Sequence, residues 1–163
     1  MGRWRPPPPR SSPYITPEGY EALQADLKNL WTRRAAVVRA LSAAAAEGDR
    51  SENAEYIYRK KELGGIDARI GYLQKRLPDL NIVRETPDGN RAHFGAWVTV
   101  ERADGSQARY RIVGPDEADA ARDLISIDSP LARALLKKLP GDETALHVGD
   151  RREALVIKQV CYK

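Results

Sequence analysis

Cysteine occurs once, at Cys161, and histidine twice, at His93 and His147. One thiol cannot close a disulfide within the chain, and so few thiols and imidazoles supply no cluster of the kind that holds zinc. No apolar run approaches the roughly 18 residues that a membrane span needs. The opening MGRWRPPPPRSSPY is basic but has no apolar stretch, which argues against a secretory signal. These shortages predict a folded protein of the cytoplasm with no membrane partner.

An excess of one charge is also missing from the parts that should fold. The net charge is +4, and Arg3, Arg5 and Arg10 supply most of it from the first thirteen residues. Residues 14–83 carry eleven basic and ten acidic groups, and residues 84–163 carry thirteen of each. A protein that gains affinity by neutralising many phosphates needs a broad basic surface. Any nucleic-acid contact here must be local.

What is present falls into three regions. Residues 1–13, with Pro6 to Pro9 in a row, read as a disordered or extended Pro-rich tail, since prolines favour polyproline conformation and cannot enter a helix interior. Residues 14–83 read as an antiparallel coiled-coil hairpin. Thr16-Pro17-Glu18 is a helix start, with a hydroxyl cap, a proline in the first turn and an acid at the positive end of the dipole. Tyr20, Leu23, Leu27, Leu30, Arg34, Val37, Leu41 and Ala44 then recur at steps of three and four. So do Tyr56, Arg59, Leu63, Ile66, Ile70, Leu73 and Leu77, and Pro78 stops the second helix. Leu23 with Leu77, Leu27 with Leu73, Leu30 with Ile70 and Val37 with Leu63 have numbers summing to one constant, as facing positions of a hairpin must. Gly64, Gly65 and Gly71 go against the helix, each costing about 1 kcal/mol relative to alanine; a bend or a close approach of the partner helix would account for them.

Residues 84–163 change period. Trp97–Val100 and Arg109–Val113 flank the turn Ala103-Asp104-Gly105-Ser106, and a further strand is expected over Asp123–Ile127. Ser129-Pro130 should open a short helix ending near Lys138, with two last strands over 143–148 and 154–161 joined at Gly149-Asp150. The fold class is therefore α+β: a helical hairpin followed by a mostly antiparallel sheet with one short helix.

The turn of the hairpin, GDRSENAEY, concentrates acid. Glu47, Asp49, Glu52 and Glu55 face a single cation, Arg50. About ten residues back, roughly 15 Å along the axis, Arg39, Arg59, Lys60 and Lys61 form a basic band. Carboxylates ahead of cations suit a device that offers oxygen ligands to a metal and grips a phosphate backbone. A plainer assignment fits the spacing too: Asp49 as N-cap with Glu52 in a capping box, and Glu55 with Arg59 as an i,i+4 pair. Two carboxylates bind magnesium weakly, so the chemistry would need a partner that already holds a metal.

The sequence resembles the Gre transcript cleavage factors, the GreB branch more than GreA. The residues that carry the likeness are YITPEGYEALQADLKNLW, GDRSENAEY, DLNIV, FGAWV, RYRIVG and ISIDSPLARALLKK, in order from Tyr14 almost to the C-terminus. The resemblance implies a C-terminal FKBP-like domain that binds bacterial RNA polymerase and a coiled coil inserted into its secondary channel. There the tip stimulates the polymerase to cleave the extruded 3′ end of backtracked nascent RNA. On this likeness Asp49 and Glu52 are the catalytic, metal-holding pair, sharing Mg2+ with the polymerase and not binding it tightly alone. Ser51, Asn53, Glu55 and Tyr56 support the tip. Arg59, Lys60, Lys61 and Arg39 contact extruded RNA, and Asp128, Ser129, Pro130 and Leu131 dock on the polymerase. The chain would be an accessory factor, not itself an enzyme, and a monomer when free. The Pro-rich tail and the Gly64-Gly65 pair depart from the family pattern. Some Gre-fold relatives inhibit polymerase and have altered tips; both acids are retained here. The alternative is a regulator that occludes the channel without promoting cleavage.

Overall fold

A computed structural model describes residues 10–48 and 52–163, so residues 1–9 of the expected tail, and Asp49, Arg50 and Ser51, lie outside the described residues. The described chain divides into two compact units, Tyr20–Leu80 and the remainder.

The helical unit contains most of α1 (Pro17–Ala45) and all of α2 (Ala54–Arg76). Proline ends α2 as expected, with Pro78 in a single 3-10 turn over Leu77–Asp79. Val37, Ile66 and Ile70 form a buried cluster, with Leu27, Leu30 and Leu63 packed around it, and Leu23, Ala44 and Leu73 are buried too. All belong to the two heptad stripes, and the seam is the one the register requires. Ion pairs cross beside it. Arg33 binds Glu62, Arg34 Nε lies 2.6 Å from Asp67 Oδ1, and Arg69 Nε lies 3.3 Å from Asp26 Oδ2. Arg34, which the register sets against the seam, is half-buried and reaches an acid beside it. The glycines are not explained by close approach: a Cβ at Gly64, Gly65 or Gly71 meets no atom within 4 Å. Space does not require glycine at these three positions of a continuous helix.

The other unit is built on a five-stranded sheet: β3 (Trp97–Arg102), β4 (Gln107–Val113), β5 (Leu124–Ser126), β6 (Glu143–Val148) and β7 (Arg151–Cys161), in the order β5-β4-β3-β7-β6. Alternation along β3 and β7 turns Val98, Val100, Leu155 and Ile157 inward with Ile112, and α3 (Pro130–Leu135) covers them through Ala132 and Leu135. The β3–β4 turn forms as its chemistry requires, with Gly105 at φ 83° and Asp104 Oδ1 accepting from Ser106 N at 2.9 Å. The sheet is mostly antiparallel, as expected, and two details differ. The sheet is mixed, because β5 joins β4 in parallel by way of two 3-10 turns between Pro115 and Arg122. The helix also stops three residues short of Lys138, where Lys137 takes a left-handed φ of 67° and its N–H bonds the Ala92 carbonyl at 2.7 Å.

A second, parallel pair was not anticipated. β1 (Tyr14–Ile15) lies beside β2 (Asn81–Ile82), with Asn81 N bonded to Pro13 O at 2.8 Å and Val83 N to Ile15 O at 2.9 Å. The start of α1 is secured here as well. Glu117 accepts from Thr16 N at 2.7 Å, from the Thr16 hydroxyl and from Gly114 N at 3.1 Å, while Thr16 Oγ1 caps Gly19 N at 3.1 Å.

Candidate functional site at the hairpin turn

The two helix ends at the turn are tied by one side chain. Asn53 is the N-cap of α2: its Oδ1 accepts from Tyr56 N at 3.1 Å, and its Nδ2 donates to the Ala44 carbonyl of α1 at 2.8 Å. One amide thus satisfies an orphan donor of α2 and joins Glu47 N on the Ala44 carbonyl at the end of α1. Ala44, buried at 3% exposure, and half-buried Tyr56 pack close to this joint.

That cap removes one half of the plainer assignment of the turn, the capping box. A capping box on Asp49 would put Glu52 at the third helical position, but α2 begins at Ala54 and its cap is Asn53. Glu52 stands before the helix, exposed, with no hydrogen bond or ion pair to another described residue. Glu47 and Glu55 are exposed as well. The end of the hairpin therefore presents Glu47 and Glu52 as carboxylates that take no part in the α2 cap.

The basic band is less uniform than its sequence. Arg59 Nε lies 2.8 Å from Glu55 Oε1 and its Nη1 lies 3.0 Å from Glu62 Oε2, with its guanidinium 5.4 Å from the Tyr58 ring. Arg33 reaches the same Glu62 from α1. The hydrogen bond from Arg33, aided by Arg59, holds the Glu62 carboxyl below its usual range, and the bonds that Arg59 donates to Glu55 and Glu62 raise its own pKa. Arg59 is thus internally compensated, and the i,i+4 pair foreseen for it forms. Arg39, Lys60 and Lys61 are exposed, and none forms an ion pair with a described residue. Sequence reasoning missed Glu62 as the acid that absorbs Arg59, although its i+3 spacing was visible.

In the sheet unit, Asp128, Ser129, Pro130 and Leu131 sit at the junction of β5 and α3. Ser129 is the N-cap, its Oγ accepting from Ala132 N at 3.1 Å; Pro130 occupies the first turn, and Leu131 packs on the sheet core. Asp128 is half-buried, and its carboxylate receives both donors of Ser12.

The magnesium expectation can be tested on the donor set. No group of three His, Cys, Asp or Glu side chains suited to a metal comes together among the described residues. Glu52 is a hard oxygen donor open to solvent, which suits one ligand of a magnesium ion. Among the described residues no helix is long and apolar enough to cross a membrane.

Comparison with known proteins places both units. Residues 13–82 match the family model of the GreA/GreB transcription elongation factor N-terminal domain, and residues 86–162 match that of the C-terminal domain. The transcription elongation factor GreB of Xanthomonas axonopodis pv. citri is 58% identical over 165 residues, covering 99% of this chain and 98% of that one. GreB of Pseudomonas aeruginosa is 61% identical over 140 residues, covering 85% and 83%. A solved structure of the transcription factor Gfh1 is 26% identical, covers 93% of this chain and 97% of its own, and superposes with a TM-score of 0.45.

Proposed function

Because the chain belongs to the GreA/GreB family of transcription elongation factors, we propose that it binds bacterial RNA polymerase, enters the secondary channel hairpin-first and stimulates cleavage of backtracked nascent RNA. The observation that supports this best is local. Asn53 caps α2, so Glu52 is left exposed at the end of the hairpin with no part in closing either helix.

In this reading Asp49 and Glu52 add carboxylate oxygens to a magnesium site whose remaining ligands come from the polymerase and the RNA. Bound there, the ion supplies two-metal phosphodiester hydrolysis, in which the metal pair activates water and stabilises the in-line displacement. Asn53 holds the two helix ends together, so the carboxylates are presented from a fixed base. Asp128 to Leu131 dock the sheet unit on the polymerase. In this reading the chain completes another enzyme's active site.

The test is incubation of a backtracked elongation complex with magnesium and the full chain. RNA shortened from its 3′ end is the expected result. Binding without shortening would replace this reading by the channel-occluding regulator.

The basic band gives a second expectation in the same assay. Because Arg59 is taken up by Glu55 and Glu62, Lys60→Gln with Lys61→Gln and Arg39→Gln should slow cleavage by about tenfold on complexes with long extruded RNA. Arg59→Gln alone should change it less than about threefold. The band lies roughly 15 Å behind the turn, so complexes backtracked by one or two steps should hardly respond. Phosphate contacts are screened by salt, so the difference between long and short extrusions should shrink as ionic strength rises. Equal losses on both kinds of complex at two salt concentrations would remove the RNA grip and leave the cations as solvated surface.

A further inference from the structure

The turn from Ser126 to Ser129 is fixed by its own backbone. Ile127 N donates to Val113 O at 2.8 Å, Ser129 N to Ser126 O at 2.9 Å, and Asp128 N to Ser126 Oγ at 3.1 Å. None of these bonds orients the Asp128 carboxylate. Its two oxygens accept from a residue 116 positions away: Ser12 N donates to Oδ2 at 2.9 Å, and the Ser12 hydroxyl donates to Oδ1. Two donors on the two oxygens of one carboxylate fix its plane as well as its rotamer.

Ser12 is carried there by its neighbours. It precedes Pro13, which biases it toward extended backbone. Pro13 and Ile15 are held along β2 by the bonds from Asn81 and Val83 at 2.8 and 2.9 Å. Ile127, next to Asp128, lines an apolar groove of about 410 Å3 with Tyr14, Phe94 and Leu136. Asp128 thus adjoins in sequence a residue that lines an apolar groove.

We propose that Ser12 is a positioning residue for polymerase docking: it holds the Asp128 carboxylate in the orientation that receives a basic side chain of the polymerase, while the groove takes an apolar neighbour of that side chain. The inference rests on the docking role given above to Asp128. Ser12 need not touch the polymerase; it removes the ordering cost that a mobile carboxylate would otherwise incur on binding.

The experiment titrates the full chain against a backtracked elongation complex and reads two quantities, the half-saturating concentration and the cleavage rate at saturation. Ser12→Ala should raise the half-saturating concentration about fivefold, the cost of ordering one side chain on binding, with the saturated rate unchanged. Ser12→Thr keeps the hydroxyl and should stay close to wild type. Asp128→Asn should lose more, and adding Ser12→Ala to it should cost nothing further, because the two act through one contact. An unchanged half-saturating concentration in Ser12→Ala, additive losses in the double variant, or equal losses in the Ala and Thr variants with a lowered melting temperature would each overturn the proposal. A wild-type chain that fails to bind the complex at all would instead bring down the docking reading beneath it.

Discussion

Glu52→Gln is expected to lower the saturated rate of transcript shortening by roughly a hundredfold or more, with the half-saturating concentration for polymerase close to wild type. Charge stabilisation by a metal contributes several kcal/mol at a transition state, and each 1.4 kcal/mol or so is tenfold in rate. A neutral isostere keeps the shape and a hydrogen-bonding group but loses the anion that a divalent cation needs. Asp49→Asn should act in the same direction. The fold should be insensitive, because Glu52 is exposed, precedes the Asn53 cap and forms no ion pair with a described residue. An acid beyond a helix N-terminus contributes at most about 1 kcal/mol through the dipole. The check pairs cleavage assays at saturating factor with melting curves. If Glu52→Gln cleaves at the wild-type rate, carboxylates at this turn are not part of the reaction and the occluding regulator becomes the better reading.

The hairpin was legible because its determinants are local and repeated. Steps of three and four put Val37, Ile66 and Ile70 on facing stripes, and the buried cluster consists of those residues. The acids at the turn were legible as composition, but their role was not. Asp49-x-x-Glu52 has the spacing of a capping box, and only the placement of the cap at Asn53 removes that assignment. Arg59 was legible in part: its pair with Glu55 was foreseen, and Glu62 was not. It reads as part of a cationic run, yet Glu55 one turn before it and Glu62 one turn after bracket its guanidinium. Charge counting along a helix overlooks such local neutralisation. Ser12 was the least visible, since nothing in Ser-Ser-Pro announces a partner 116 residues away. The parallel β4–β5 pairing was hidden likewise, because alternation reports which face a strand buries and not the direction of its neighbour.

Gly114→Ala is expected to destabilise the sheet unit by about 3 kcal/mol, a larger cost than for any other single glycine-to-alanine change in the described chain. The backbone conformation is not the reason: Gly114 has φ −72° and ψ 158°, which suit any residue. The reason is space. A Cβ there would overlap the Tyr14 carbonyl oxygen and approach its carbon to 3.0 Å. A backbone carbonyl cannot rotate aside as a side chain can, so β1 itself must move. Moving β1 strains the bonds from Asn81 to Pro13 and from Val83 to Ile15, and the Thr16 donors on Glu117 with them. Gly19→Ala is the control. Its Cβ also meets an obstacle, but that obstacle is the Glu117 carboxylate, with Cδ at 2.7 Å, and a side-chain end can swing away. The swing sacrifices hydrogen bonds worth about 1 kcal/mol each, partly offset by the better helix propensity of alanine. Gly19→Ala should therefore cost only about 1–2 kcal/mol. Denaturant unfolding of the full chain measures the difference, and amide exchange locates it: Gly114→Ala should accelerate exchange at Asn81 and Val83 more than Gly19→Ala does. Equal stabilities for the two variants, or exchange at Asn81 and Val83 unchanged in Gly114→Ala, would show that β1 yields without cost and that its packing does not secure the start of α1.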